Sequence, residues 1–176
     1  MKKTLFAIAL TALSSSVLAE EEQNYYIEGG LTHISVNNIN GDEDFGQAGV
    51  SGAFGYNFNP NDDFQNKLEL LFGFGIGSDD VSNISTKLKN YYGLSYRPTV
   101  KFENGLELFG KVVVARAKAE ASASYYSYYG GRQNFTVSES DTETGFGVGV
   151  SYNSFSLYFM ELDDTRFFTA SYTYQF

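Results

Sequence analysis

Gln47-Ala48-Gly49-Val50-Ser51-Gly52-Ala53-Phe54-Gly55-Tyr56-Asn57-Phe58 is the stretch that decides the fold class. Read at period two, Ala48, Val50, Gly52, Phe54, Tyr56 and Phe58 share one face of an extended strand. Gln47, Gly49, Ser51, Ala53, Gly55 and Asn57 share the other. In a water-soluble barrel the bulky face turns inward and the second face meets water. Here the second face is mostly Gly, Ala and Ser, which suits a narrow, crowded interior. The large apolar face therefore points outward, and lipid is the solvent that rewards it. Glycine-rich strands are weak in a soluble sheet, whereas in a small barrel they leave room for side chains from the opposite wall.

The same pattern recurs along the chain. Leu68, Leu70, Phe72, Phe74 and Ile76 oppose Lys67, Glu69, Leu71, Gly73, Gly75 and Gly77. Phe146, Val148, Val150 and Tyr152 oppose Gly145, Gly147, Gly149 and Ser151. At the end, Phe168, Ala170, Tyr172, Tyr174 and Phe176 oppose Thr169, Ser171, Thr173 and Gln175. Strand signals fall at 25–36, 46–57, 67–77, 88–102, 106–118, 141–153, 155–162 and 166–176. The expected fold is all-β: an eight-stranded antiparallel up-and-down transmembrane β-barrel. An even count puts both termini on one side, read as periplasmic. Ten strands would require splitting 117–140 and rank second.

Turns sort the two ends. Glu103-Asn104-Gly105 and Asn153-Ser154 are tight turns, and with 58–66 they are assigned to the periplasmic side. Residues 37–45, 78–86, 117–140 and Asp163-Asp164-Thr165 go to the other side. Aromatics near strand ends form an expected girdle. Tyr25, Tyr56, Phe58, Phe102, Phe155, Tyr174 and Phe176 mark one rim, and Phe45, Tyr91, Phe167 and Phe168 the other.

Composition narrows the function. The chain has 176 residues and no Cys, which excludes a disulfide scaffold and a Cys-based metal site. Its net charge of -9 argues against nucleic acid as a partner. Residues 1–19 read as a cleaved secretory signal: Lys2 and Lys3, an apolar run from Leu5 to Leu13, and Val17-Leu18-Ala19 before the cleavage point. The run is too short for a spanning helix, which needs about 20 residues. Residues 20–176 are then the outer-membrane barrel domain.

Extrapolated register places Glu28, Lys67, Glu69, Lys89, Arg97, Lys101, Glu107 and Lys111 on the inner face. A Lys or Arg facing lipid at the midplane costs about 2–4 kcal/mol, so their shared facing tests the register. Within a narrow lumen such charges must pair. The expectation is an interior ion network that plugs the barrel; a narrow conduction path for small solutes or ions is the alternative. In 155–162 the register that sends Phe155, Leu157 and Phe159 outward also sends Glu161 outward, and its facing stays open.

Three stretches resemble the small eight-stranded outer-membrane barrels of Gram-negative bacteria, the OmpX/Ail and OmpA transmembrane-domain group. Tyr25-Tyr26-Ile27-Glu28-Gly29-Gly30 is similar to the family's first strand. Tyr91-Tyr92-Gly93-Leu94-Ser95-Tyr96-Arg97-Pro98, continuing through Asn104-Gly105 to Phe109-Gly110-Lys111-Val112-Val113, resembles its central hairpin. Tyr172-Thr173-Tyr174-Gln175-Phe176 resembles its terminal assembly signal, although Gly often stands where Tyr172 does. The resemblance implies a lumen packed with polar side chains and an end that engages the barrel-assembly machinery through Tyr172, Tyr174 and Phe176. It also implies contact with outer-membrane lipid and lipopolysaccharide.

Residues 117–140 are the most distinctive. Ala117, Ala119, Ala121 and Ala123 alternate with Lys118, Glu120, Ser122 and Ser124, which reads as two strands continuing past the membrane to a tip near Gly130-Gly131. Tyr125, Tyr126, Tyr128, Tyr129 and Arg132 make that tip a candidate contact surface for an extracellular ligand. Its protruding edge could add a partner strand. His33-Ile34-Ser35 has the His-x-Ser spacing of outer-membrane lipid A deacylases, but it lies in the first strand; a rim histidine is the plainer reading. The acidic loop Asn40-Gly41-Asp42-Glu43-Asp44 lacks the spacing of a defined cation site. No catalytic, cofactor or metal site is expected. The reading is a non-enzymatic surface barrel serving adhesion, surface contact or envelope integrity.

Overall fold

The computed structural model describes residues 24–36, 45–81, 84–127, 131–163 and 165–176, with side chains for all of these except 45, 79–81, 84, 123–127 and 131–134. Strands are β1 (Tyr25–Val36), β2 (Phe45–Asn57), β3 (Phe64–Ile76), β4 (Asp79–Val81), β5 (Ile84–Lys101), β6 (Leu106–Ser127), β7 (Gly131–Tyr152), β8 (Phe155–Leu162) and β9 (Thr165–Gln175). Each long strand pairs antiparallel with its neighbours. The sheet closes where β1 meets β9 and β3 meets β5, leaving no edge around the barrel wall. The short β4 pairs only with Thr86, Ser85 and Ile84 at the tip of β5. The barrel therefore has eight strands, and the 117–140 region lengthens β6 and β7 instead of adding a further pair.

Alternation decides which side of the wall each residue takes. Leu31, Leu70, Phe74, Leu94, Val112 and Val148 all face outward and exposed. A soluble monomer rarely exposes one contiguous apolar patch beyond a few hundred Å², and this surface girdles the molecule. Closure depends on the turns. Gly105 sits at φ 81 and Asn153 at φ 54, the left-handed region that Gly and Asn tolerate. Asn104 Oδ1 accepts the Leu106 N–H at 3.1 Å. At the chain end, the Phe176 N–H donates to the Tyr25 carbonyl at 2.9 Å, and the two rings stack at 6.4 Å.

The inner glycines are seats for large side chains of the residues paired with them on the neighbouring strand: Tyr26 over Gly55, Tyr91 over Gly73 and Phe109 over Gly149. A Cβ on Gly55 would lie 2.1 Å from the Tyr26 ring, one on Gly73 2.3 Å from the Tyr91 ring, and one on Gly149 2.4 Å from the Phe109 ring. Two members of the expected upper girdle are corrected here. Tyr91 and Phe167 turn inward, buried, with ring centroids 5.1 Å apart. Both share the parity of the inner face, whereas Phe168, one residue along, faces out. The side chain of Phe45 lies outside the described residues. The other rim carries Tyr25, Tyr56, Phe58 and Phe176 in contact, and Phe155 against Tyr172 at 5.2 Å. Glu161 faces outward in an unbroken ladder, and the Arg166 guanidinium donates to it at 3.2 Å from the neighbouring strand.

Candidate functional site

The lumen holds one continuous charged cluster. Glu28 comes from β1, Lys67 and Glu69 from β3, Arg97 from β5, and Glu107 and Lys111 from β6. Inward parity on four different strands delivers all six to the same section of the barrel. Arg97 donates through Nη1 to Glu28 Oε2 at 2.8 Å and to Glu69 Oε1 at 3.3 Å, and through Nη2 to Ser151 Oγ at 3.1 Å. Its guanidinium also lies 3.6 Å from the Phe109 ring centroid. Lys111 Nζ stands 3.0 Å from Glu69 and 3.9 Å from Glu28. The Tyr26 and Ser95 hydroxyls each donate to Glu69 at 2.8 Å. Lys67 donates to Glu107 at 3.3 Å. Glu69 is 0% exposed, and Glu28, Arg97 and Lys111 are each 2% exposed.

Three carboxylates facing three cations keep the buried charge balanced. Hydrogen bonds from Tyr26 and Ser95, and one to Ser151, satisfy further donor and acceptor sites, which a buried ion cluster requires. Tyr26, Ser95 and Ser151 were not singled out from the sequence. Their signal was present: Tyr26 and Ser95 share the inner parity of Glu28 and Arg97, two residues along, and Ser151 continues the Gly145, Gly147 and Gly149 face of its strand.

Cavities lie toward both ends of the barrel. At the turn end, Asn57, Gln65, Lys101, Glu107 and Asn153 line a polar cavity of about 630 Å³. Lys101 is exposed there, away from the central cluster. At the other end, Leu88, Ala117, Ala119, Glu139 and Asp141 help line a cavity of about 310 Å³.

Lys89 is a correction. The β5–β6 register shifts between Leu88 and Asn90, a β-bulge. Leu88 turns into the lumen and Lys89 turns out, where it pairs with Glu120. Lys87 reaches the same carboxylate at 3.7 Å. Hydrogen bonding from Lys89 and Ser138 holds the Glu120 carboxyl below its ordinary range. A depressed carboxylate pKa means the pairing is present at neutral pH and is lost only as pH falls through the lowered value. The carboxyl carbon of Glu120, followed by NMR against pH, should titrate below the glutamate reference of about 4.3; titration at or above the reference contradicts the pairing.

Several candidates are not brought together. His33 is exposed on the outer face of β1, and the hydrogen bonds among the described residues do not join it to Ser35. A Ser nucleophile needs a His base within hydrogen-bond reach. Among the described residues, no group of three His, Asp or Glu side chains is placed to hold a metal ion. The acidic loop 40–44 lies outside the described residues, as do Tyr128 and Tyr129. The backbones of Tyr125, Tyr126 and Arg132 belong to β6 and β7, with Tyr126 opposite Arg132, but their side chains are not described. Tyr172 and Tyr174 face outward, and Phe176 packs against Tyr174 at 6.2 Å.

The extension of β6 and β7 is the other distinctive feature. β7 pairs with β8 only from Gly145 to Tyr152, whereas it pairs with β6 along its whole length. At about 3.3 Å per residue, Gly131 to Thr144 makes about 43 Å of strand beyond the end of β8. The crossing pairs run unbroken to Ser127 opposite Gly131.

No curated protein sequence matches this chain. Among solved structures it is similar to Ail, the attachment invasion locus protein of Yersinia pestis, at 18% identity and a TM-score of 0.51, covering 88% of this chain and 100% of that one. It is also similar to Neisserial surface protein A, at 12% identity and a TM-score of 0.50, covering 86% and 97%. At these identities the likeness speaks for the fold, which is the eight-stranded antiparallel barrel. The model of the outer membrane protein beta-barrel domain matches residues 5–176, nearly the full length. A lipid-facing belt, a closed ladder and that match together place the chain in the outer membrane protein beta-barrel domain family, a protein of the bacterial outer membrane.

Proposed function

We propose that this chain is a non-enzymatic surface barrel whose lumen is closed by the Glu28–Glu69–Arg97–Lys111 cluster and whose β6–β7 extension makes contacts outside the cell, for adhesion or envelope integrity. The unbroken β6–β7 ladder past the end of β8 carries this reading. β5 accompanies β6 as far as Ala123, and only Ser124–Ser127 and Gly131–Asn134 stand as a two-stranded tip; a projection of that length adds little to the barrel's own closure, so its use lies beyond the membrane. Tyr125, Tyr126, Tyr128, Tyr129 and Arg132 are the contact candidates at its tip, where Tyr supplies large contact area at low entropy cost.

On this reading, residues 1–19 direct export and are removed, and both termini lie in the periplasm with the tight turns. Tyr172, Tyr174 and Phe176 present the closing strand to the barrel-assembly machinery. Outer-membrane lipid and lipopolysaccharide surround the belt. No cofactor is needed. The charged lumen keeps a narrow channel as the second reading, favoured by the polar cavity at the turn end.

Deleting residues 121–135 tests the contact role. The barrel should still form, judged by heat-dependent mobility in SDS gels. Bacteria carrying the shortened protein should lose attachment to immobilised host-cell protein, or survive bile salts less well than bacteria with the full chain. Unchanged behaviour in both assays removes the contact role.

A further inference from the structure

At the end away from the tight turns, the lumen is closed by an apolar layer. Ile34 pairs with Phe167 across β1 and β9, and both are buried, as are Leu88, Tyr91 and Leu162. Beyond this layer lies the cavity of about 310 Å³, at the lower end of the range that holds a small ligand. Val36 and Thr165, the pair next to Ile34 and Phe167, form one wall. Leu88, Ala117 and Ala119 form another, with Leu88 paired to Ala119. Glu139, Asp141 and Glu143 complete the lining from alternate inward positions of β7, the first two opposite Ala119 and Ala117. The carboxylates therefore stand beside a low apolar floor.

The acids and bases at this end are divided between the two faces of the sheet. Lys87, Lys89, Arg116 and Lys118 take the outward face of β5 and β6, away from the cavity. Residues 37–45, which follow Val36, contain no Lys or Arg. The apolar layer keeps Arg97 and Lys111 on its far side. Glu139 and Asp141 enter none of the ion pairs among the described residues. Asp141 accepts the Thr142 N–H at 2.7 Å. Alternate residues of a strand are about 6.6 Å apart, so the carboxylates present a line of charge and not a shell around one ion. Across the cavity, the Thr165 side chain is turned inward and only 9% exposed, and no hydrogen bond among the described residues uses its hydroxyl. A buried hydroxyl without a partner is costly.

We propose that this cavity binds a linear aliphatic polyamine. Ammonium groups separated by short methylene chains follow the repeat of the three carboxylates. The methylenes lie against Leu88, Ala117, Ala119 and Val36. The Thr165 hydroxyl accepts a hydrogen bond from an ammonium on the opposite wall. Hydrogen bonds between an ammonium and a carboxylate are among the stronger ones. A metal ion would use the charge alone, whereas a polyamine uses the charge and the apolar wall together. The site does not depend on the hairpin tip or on its contact role.

The test is isothermal titration calorimetry of the folded barrel in uncharged micelles, with spermidine as the probe. Each variant is first shown to fold by its heat-dependent gel shift. The parent should bind one spermidine, less tightly as salt rises, and magnesium added at equal charge should not displace it. Glu139→Gln with Asp141→Asn should weaken binding about tenfold. Thr165→Val should weaken it about threefold. Ala119 is exposed to the cavity, so Ala119→Leu keeps every charge and fills the space; it should weaken binding about as much as loss of the two carboxylates. No saturable binding by the parent overturns the site, and that measurement stands even where a variant fails to fold. Displacement by magnesium at equal charge, or parental affinity in Ala119→Leu, reveals a counter-ion at an acidic rim and overturns it as well.

Discussion

Replacing Arg97 with Met should lower the unfolding stability of the refolded barrel by about 3–5 kcal/mol. The side chain is 2% exposed and contacts Glu28, Glu69, Ser151 and the Phe109 ring. Without it, two buried carboxylates share Lys111, which lies 3.9 Å from Glu28 and 3.0 Å from Glu69. An uncompensated buried charge is the costly outcome, more than the loss of any one hydrogen bond. Adding Glu28→Gln to the Arg97→Met variant restores the balance of one acid against one base and should recover part of the loss. Urea midpoints read from the heat-modifiable band in vesicles measure both. A midpoint unmoved by Arg97→Met, or a double variant weaker than the single, would show that the cluster does not hold the wall together.

Gly93→Ala is the second large effect. A Cβ there would lie 2.2 Å from the Val114 carbonyl oxygen and 2.6 Å from the Ala115 Cα, both backbone atoms of β6. Backbone in a closed ladder cannot step aside as a side chain can, so the strands must shift. Overpacking of this kind costs about 1–3 kcal/mol. Gly29→Ala is the matched control, because its Cβ would meet nothing within 4 Å. It should stay within about 0.5 kcal/mol of the parent, as surface changes usually do. Equal midpoints for the two variants would mean that the close approach at Gly93 is not felt.

The wall was readable from alternation because each strand separates two solvents. Phe72 and Phe74 could only face lipid, and Glu69 between bulky residues could only face the lumen. The length of β6 and β7 was also legible, from the regular Ala alternation between 117 and 123. What alternation cannot show is an inserted residue. Carrying the parity of Tyr91 back by two put Lys89 inside, whereas the bulge puts Leu88 inside. A signal did exist: Lys87, Leu88 and Lys89 place one apolar residue between two cations, three positions from the inward Tyr91, and an odd spacing between two inward residues requires a bulge. Tyr91 and Phe167 were misread because residue type was allowed to outweigh parity. The partners that complete the lumen cluster were harder to read. Ser95, Ser151 and Tyr26 are ordinary inner-face residues until the register across four strands brings them to one point.

The most direct measurement is the current through purified wild-type barrel in planar lipid bilayers, after a gel shift has confirmed folding. A lumen closed by Glu28, Glu69, Arg97 and Lys111 predicts a silent bilayer, with no discrete and reproducible steps. Regular single-channel steps from the wild-type protein would contradict the closed lumen and make a narrow conduction path the function of the inner face.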